Sequence, residues 1–89
     1  MSRHELKYAE TAARQMRKLR KHNPMMHERI VRALEILAQA GSPAGVANVK
    51  RLRGRPFWRL RVGDWRIIFD DDGVILTVLT VGHRREIYR

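Results

Sequence analysis

Between Trp58 and Phe69, apolar and charged residues alternate on either side of Gly63-Asp64. Glycine followed by aspartate suits a two-residue hairpin turn, and a period of two marks a strand with one face on a core. With Gly63-Asp64 as the loop, Val62 faces Trp65, Arg61 faces Arg66, Leu60 faces Ile67 and Arg59 faces Ile68. Side chains alternate across a sheet, so one face collects Trp58, Leu60, Val62, Trp65, Ile67 and Phe69. The opposite face collects Arg59, Arg61 and Arg66. The apolar face needs a second layer of structure to cover it.

The first half of the chain supplies that layer. Residues 4–9 read as a short strand. From Ala9 to Lys21 the pattern becomes helical, with Ala9, Ala12, Ala13, Met16 and Leu19 on one stripe. Asn23-Pro24 is an N-cap followed by proline at the first helical position. A second helix runs from there to about Ala40 with Met26, Ile30, Ala33, Leu34 and Leu37 inward; Gly41 suits its end and Pro43 blocks further helix. After the hairpin strands, Phe57–Val62 and Trp65–Asp70, comes Asp71-Asp72-Gly73 as a second turn. Val74–Val81 is an almost unbroken apolar run, which predicts a strand inside the sheet. The long stretch from Ser42 to Arg55 reads as an irregular loop. The expectation is a single α+β domain over residues 1–89, in the order β-α-α-β-β-β, with a two-helix hairpin on a small antiparallel sheet.

Composition narrows the possible roles. Nineteen Lys and Arg against nine Asp and Glu give a net charge of +10. A field of that sign steers a protein toward polyanions: RNA, DNA or a ribosome surface. An apolar share of 44% is too high for a disordered basic tail. There is no cysteine, hence no disulfide and no thiolate metal site, as suits a reducing cytoplasm. The opening MSRHELKYAE lacks the apolar segment of a signal peptide, and no run approaches the roughly 20 apolar residues of a membrane helix. A soluble cytoplasmic protein with no membrane partner is expected.

The arginine face is the candidate site. Directly opposed like charges destabilise a strand pair by some tenths of a kcal/mol up to about 1 kcal/mol, so stability alone does not select Arg61 opposite Arg66. Guanidinium forks match phosphate bidentately, which makes the face an anion site. Lys50, Arg51, Arg53 and Arg55 lie on the approach to it, and only Asp64 offsets the positive charge from Lys50 to Arg66. The tail Gly82-His83-Arg84-Arg85-Glu86-Ile87-Tyr88 adds a histidine, two arginines and a tyrosine at a strand end. Histidine titrates nearest neutral pH, so His83 is a candidate proton carrier, with Tyr88 beside it in sequence. His4, His22, His27 and His83 have no metal-ligand spacing, and no metal or cofactor is expected. Asp70-Asp71-Asp72-Gly73 lacks the distal ligand of a calcium loop and reads as a turn.

These residues resemble the RelE branch of the RelE/ParE toxins. Lys50-Arg51-Leu52-Arg53-Gly54 is similar to the family's K-x-L-x-G loop. Trp58-Arg59-Leu60-Arg61-Val62-Gly63-Asp64-Trp65-Arg66 follows its W-R-x-R-x-G-x-x-R hairpin, and Val81 to Tyr88 its closing V-G-H-R-x-x-x-Y. The resemblance implies a toxin of a type II toxin–antitoxin pair that enters the ribosomal A site and cleaves mRNA without a metal. It implies as partners the ribosome with its rRNA and mRNA, and a cognate antitoxin that wraps the toxin. The toxin–antitoxin complex would be a hetero-oligomer that binds operator DNA through the antitoxin.

By the same resemblance Arg59, Arg61, Arg66, Arg84 and Tyr88 occupy catalytic positions, and the charges of Lys50, Arg51, Arg53, Arg55 and Arg85 make them the residues expected to contact RNA or ribosome. Some relatives carry lysines where this chain has Arg59 and Arg61. Arginine keeps its proton and stabilises a dianionic transition state better than it acts as a base, which directs the proton work to His83 or Tyr88. The rival reading is the ParE branch, which shares the fold and poisons DNA gyrase without cutting RNA.

Overall fold

A computed structural model describes residues 4–87. Its elements are β1 (Glu5–Tyr8), α1 (Glu10–His22), α2 (Pro24–Gln39), β2 (Val49–Arg51), β3 (Trp58–Val62), β4 (Trp65–Asp71), β5 (Ile75–His83) and α3 (Arg84–Ile87). The α+β class holds: a helical hairpin packs on one face of a five-stranded sheet ordered β1-β5-β4-β3-β2.

The helices form where periodicity places them. Ala12, Met16 and Leu19 of α1 are buried, as are Ile30, Leu34, Leu37 and Ala38 of α2. Asn23 serves both helices. Its N–H donates to Leu19 O at 2.7 Å to close α1, and its Oδ1 accepts from Met26 N–H at 3.2 Å to open α2. Pro24 follows at the first helical position, where its missing N–H costs nothing. Helix α2 ends through extended Ala40, and Gly41 has no positive φ, so the expected glycine stop is not used.

The hairpin register is the expected one, with Arg59↔Ile68, Leu60↔Ile67, Arg61↔Arg66 and Val62↔Trp65 paired. Leu60, Val62, Ile67 and Phe69 join the core with Leu76, Val78 and Val81 of β5. Each such side chain, fully buried, stabilises the fold by roughly 1.5–3 kcal/mol.

The sheet differs from the sequence expectation in three ways. Val49–Arg51, expected as loop, is a fourth antiparallel strand element: Lys50 pairs with Arg59 and Arg51 with Trp58. Three residues carry too short a pattern to announce a strand. β1 runs parallel to β5, with Glu5↔Ile75 through Tyr8↔Val78, so the sheet is mixed. The helical hairpin carries the chain from β1 at one edge of the sheet to β2 at the other, and the strands β2 to β5 then return to lie beside β1. Finally, β5 extends to His83 and a single turn, α3, follows it. Leu79 is the extra residue of a bulge, because Ile68 pairs with Thr80 and Phe69 with Val78.

At the far end of the sheet, Asp71-Asp72-Gly73 is the expected turn. Asp72 Oδ1 accepts from Val74 N–H at 2.9 Å and Ile75 N–H at 2.7 Å. These bonds to Ile75 and Val74 hold its carboxyl below the ordinary 3.8. Beside the turn, His4 is 4% exposed with Nε2 2.9 Å from Asp71 Oδ1, close enough for an ion pair but bent out of hydrogen-bond alignment. Among the described residues no helix is long and apolar enough to cross a membrane.

Candidate nucleic-acid interface

The face of the sheet away from the helices is built from two rows. Cross-strand pairing lines up Lys50, Arg59, Ile68 and Thr80 in one, and Arg61, Arg66 and Gly82 in the other. Paired residues share a face, so the cations Lys50, Arg59, Arg61 and Arg66 gather on β2, β3 and the turn end of β4, while Ile68, Thr80 and Gly82 complete the rows. An open cleft of about 720 Å³ lies over Ile68, Thr80 and Gly82. Arg53, Arg55 and Phe57 from the β2–β3 loop line one side of it, and Gln15, Glu86 and Ile87 the other.

Neighbouring groups hold the arginines. Arg61 N–H donates to Asn48 O at 2.9 Å, and its Nη2 donates to Asn48 Oδ1 at 3.4 Å. Asn48 has φ 65°, a left-handed conformation that asparagine tolerates better than most side chains. Arg66 Nη1 donates to Gly63 O at 3.0 Å and Trp65 O at 3.1 Å, which folds the side chain back toward the turn. Its Nε is buried with no partner among the described residues. Arg59 is half-buried between Lys50 and Ile68.

Arg53 and Arg55 line the cleft, Arg59 and Arg66 pair with its residues Ile68 and Gly82, and Lys50 and Arg61 share the same sheet face. The structure separates others that the sequence grouped with them. Arg51 alternates to the helix side, where its guanidinium carbon lies 5.6 Å from the Trp58 ring centroid. His83 pairs with Trp65, while its neighbour Gly82 pairs with Arg66. The imidazole therefore leaves the sheet on the face opposite the arginines, edge-on to Trp65. Its Nδ1 accepts from Arg85 N–H at 3.3 Å.

Arg84 and Arg85 are exposed on α3. Arg84 N–H donates to Asp64 O at 2.8 Å, and its Nε sits 4.0 Å from Asp64 Oδ1. Tyr88 lies outside the described residues.

Four contributors went unread in the sequence: Gln15, Asn48, Phe57 and Glu86. Phe57 offers an aromatic surface at the cleft, and Glu86 is the carboxylate among its lining residues. Gln15 Oε1 accepts from Val81 N–H at 2.7 Å, occupying the β5 edge beyond the end of β1. Gly82 sets the far wall, since a Cβ there would lie 3.0 Å from Ile87 Cγ1. A cationic, concave surface with an aromatic rim can hold the phosphates and a base of a single nucleic-acid strand.

Residues 6–88 match the family described as the ParE toxin of type II toxin–antitoxin systems. No curated protein matches the sequence. Among solved structures, the RelB–RelE antitoxin–toxin complex from Methanococcus jannaschii contains a chain 27% identical to this one. That alignment covers 92% of this chain and 94% of the other, with a TM-score of 0.70. The Escherichia coli BL21(DE3) protein YafQ is 12% identical and covers 97% and 99% at a TM-score of 0.79. The Staphylococcus aureus YoeB dimer is 13% identical and covers 92% and 98% at 0.77. The last two show a shared fold.

Proposed function

This chain belongs to the ParE toxin family of type II toxin–antitoxin systems, within the RelE/ParE superfamily, and from that premise we propose that it is an endoribonuclease that cleaves mRNA in the ribosomal A site and so inhibits translation. The observation that carries this reading is the pairing of Arg61 with Arg66 beside an open cleft. A fold chosen for stability alone would avoid it, and a phosphate between the two guanidinium groups relieves it.

In the proposed reaction the ribose 2′-hydroxyl attacks its own 3′-phosphate and the bond from phosphorus to the 5′-oxygen breaks. The products are a 2′,3′-cyclic phosphate and a 5′-hydroxyl. One proton leaves the attacking hydroxyl and one reaches the departing oxygen. Arg59, Arg61 and Arg66 stabilise the charge that develops on phosphorus, and Arg84 sits at the strand end to neutralise the leaving oxygen. Proton transfer is assigned to Glu86, whose side chain lines the cleft, and to Tyr88, which the sequence resemblance supplies. His83 is not assigned a step, because strand alternation carries it to the other face. Lys50, Arg53, Arg55 and Arg85 supply the field that draws RNA in. The ribosome positions the message, since so small a domain has little surface of its own for orienting a substrate.

The proposed partners are an antitoxin that covers this face in a hetero-oligomeric, operator-binding complex, and the ribosome in the cytoplasm. Solved relatives that are antitoxin–toxin complexes support the first. Purified protein should cut mRNA in programmed ribosomes while leaving naked RNA largely intact. The family model is named for the ParE branch, for which the sequence resemblance implies a second reading, inhibition of DNA gyrase. Inhibited supercoiling with intact mRNA would select it.

A further inference from the structure

Helix α1 carries more positive charge than its packing requires. Arg14, Arg17, Lys18, Arg20 and Lys21 are all exposed, and Ala12, Met16 and Leu19 alone meet the core's burial needs. These cations are not equivalent. Thr11, Gln15, Lys18 and His22 recur at helical spacing on one stripe, with Arg14 beside it, and that stripe borders the open edge of β5. Gln15 lines the cleft over the arginine rows, a groove of about 420 Å³ that continues past Lys18, His22 and Trp65, and a third of about 380 Å³ at Arg14 and Lys18. The cleft thus opens onto α1 at Gln15 without leaving the surface. From Thr11 to His22 the stripe is roughly 16 Å long.

We propose that this stripe of α1 carries the downstream strand of the same mRNA, with Arg14 and Lys18 contacting its phosphates after it leaves the cleft at Gln15. The inference rests on the nuclease reading above and extends it from the scissile nucleotide to the flanking message. Two observations favour an RNA strand over a protein partner. The groove is continuous with the proposed reaction cleft, and its charges are long, exposed cations. Arg14 has a loose partner in Glu10 at 3.9 Å, and Lys18 has no ion pair among the described residues. Glu86 stands where the cleft meets the α1 groove and is the carboxylate among the residues lining the three grooves. The downstream side is chosen because the upstream message on a programmed ribosome is occupied by the peptidyl-site tRNA.

The test compares two charge-matched variants on ribosomes programmed with a message that carries a 2′-deoxy nucleotide at the cut site. One is Arg14→Gln with Lys18→Gln. The other is Arg17→Gln with Arg20→Gln, which removes the same charge from residues that line none of these grooves. With a long message, the first pair should lower the slope of log K against log salt by roughly 1.4, about 0.7 per lost phosphate contact, and the second should leave the slope nearly unchanged. On the cleavable message the first pair should raise KM and leave kcat alone. Cutting the message just after the A-site codon should abolish the difference between the pairs. A difference that persists on the short message places the contact on ribosomal RNA and overturns the proposal, as does equal behaviour of the two pairs at every length. If the wild type cleaves while the pairs behave alike, the nuclease reading stands and this inference falls. If the wild type neither binds nor cleaves, both fall.

Discussion

Trp65 and His83 meet edge to face across β4 and β5, with ring centroids 5.9 Å apart and planes at 84°. Their pairing fixes the imidazole on the helix side of the sheet, one residue out of phase with the Arg66–Gly82 pair. His83→Gln should therefore keep ribosome-dependent cleavage within about threefold of wild type, while Glu86→Gln slows single-turnover cleavage by roughly 10²-fold or more. A 10²-fold loss in His83→Gln with a normal Glu86→Gln would return the proton work to the histidine.

Arg61→Ala and Arg66→Ala should each reduce cleavage by about 10²- to 10³-fold, the usual effect of losing a group aimed at developing transition-state charge. Melting should show stability unchanged or raised by up to about 1 kcal/mol, because each change relieves a like-charge pair. Full toxicity in both variants would move the site elsewhere, and unfolding would make the arginines structural.

Asn48 separates backbone from side-chain effects. Glycine adopts φ 65° freely but cannot offer Oδ1 to Arg61, so Asn48→Gly should melt close to wild type and cut several-fold more slowly. Asn48→Ala is strained by about 1–2 kcal/mol and should lower Tm. Asn48→Asp keeps both the conformation and an acceptor and should restore the rate. Equal rates in all three variants would show that Arg61 needs no guide.

The Asp72 turn has a pH signature. Its carboxyl is held below the ordinary 3.8 chiefly by the bonds from Ile75 and Val74. A depressed carboxyl stabilises the fold above the unfolded-state value and loses that contribution as pH falls through the folded-state value. Asp72→Ala should thus lower Tm at neutral pH, and the gap to wild type should narrow as the pH falls below the ordinary aspartate range. A gap that stays constant down to such acid pH would assign the effect to something other than the charged carboxylate.

What was legible in the sequence follows the range of each signal. Gly63-Asp64 and the alternation around it fix the hairpin register locally, so the Arg61–Arg66 pair could be read before any coordinates. The split of Lys50 from Arg51 could not, because it depends on β2, a strand of three residues defined by its partner. The face that His83 takes is not legible for a related reason: β5 continues two residues past its apolar run, and each added residue reverses the face. Gln15 and Asn48 gave no pattern at all. Both act through hydrogen bonds to residues far along the chain, Val81 and Arg61.

The parallel pairing of β1 with β5 also has a consequence in time. Glu5 finds its partner in Ile75, so the first strand to be made waits for the last. At about 5–20 residues per second, that wait is roughly 4–14 s of synthesis. During it Leu6 and Tyr8 have no sheet to join, and non-local pairing of this kind forms late. The strand whose far end carries Gly82, and hence one wall of the cleft, is the same one that β1 awaits. The cleft is therefore complete only after β5 has been made, and β1 joins the sheet only once that wall of the cleft exists.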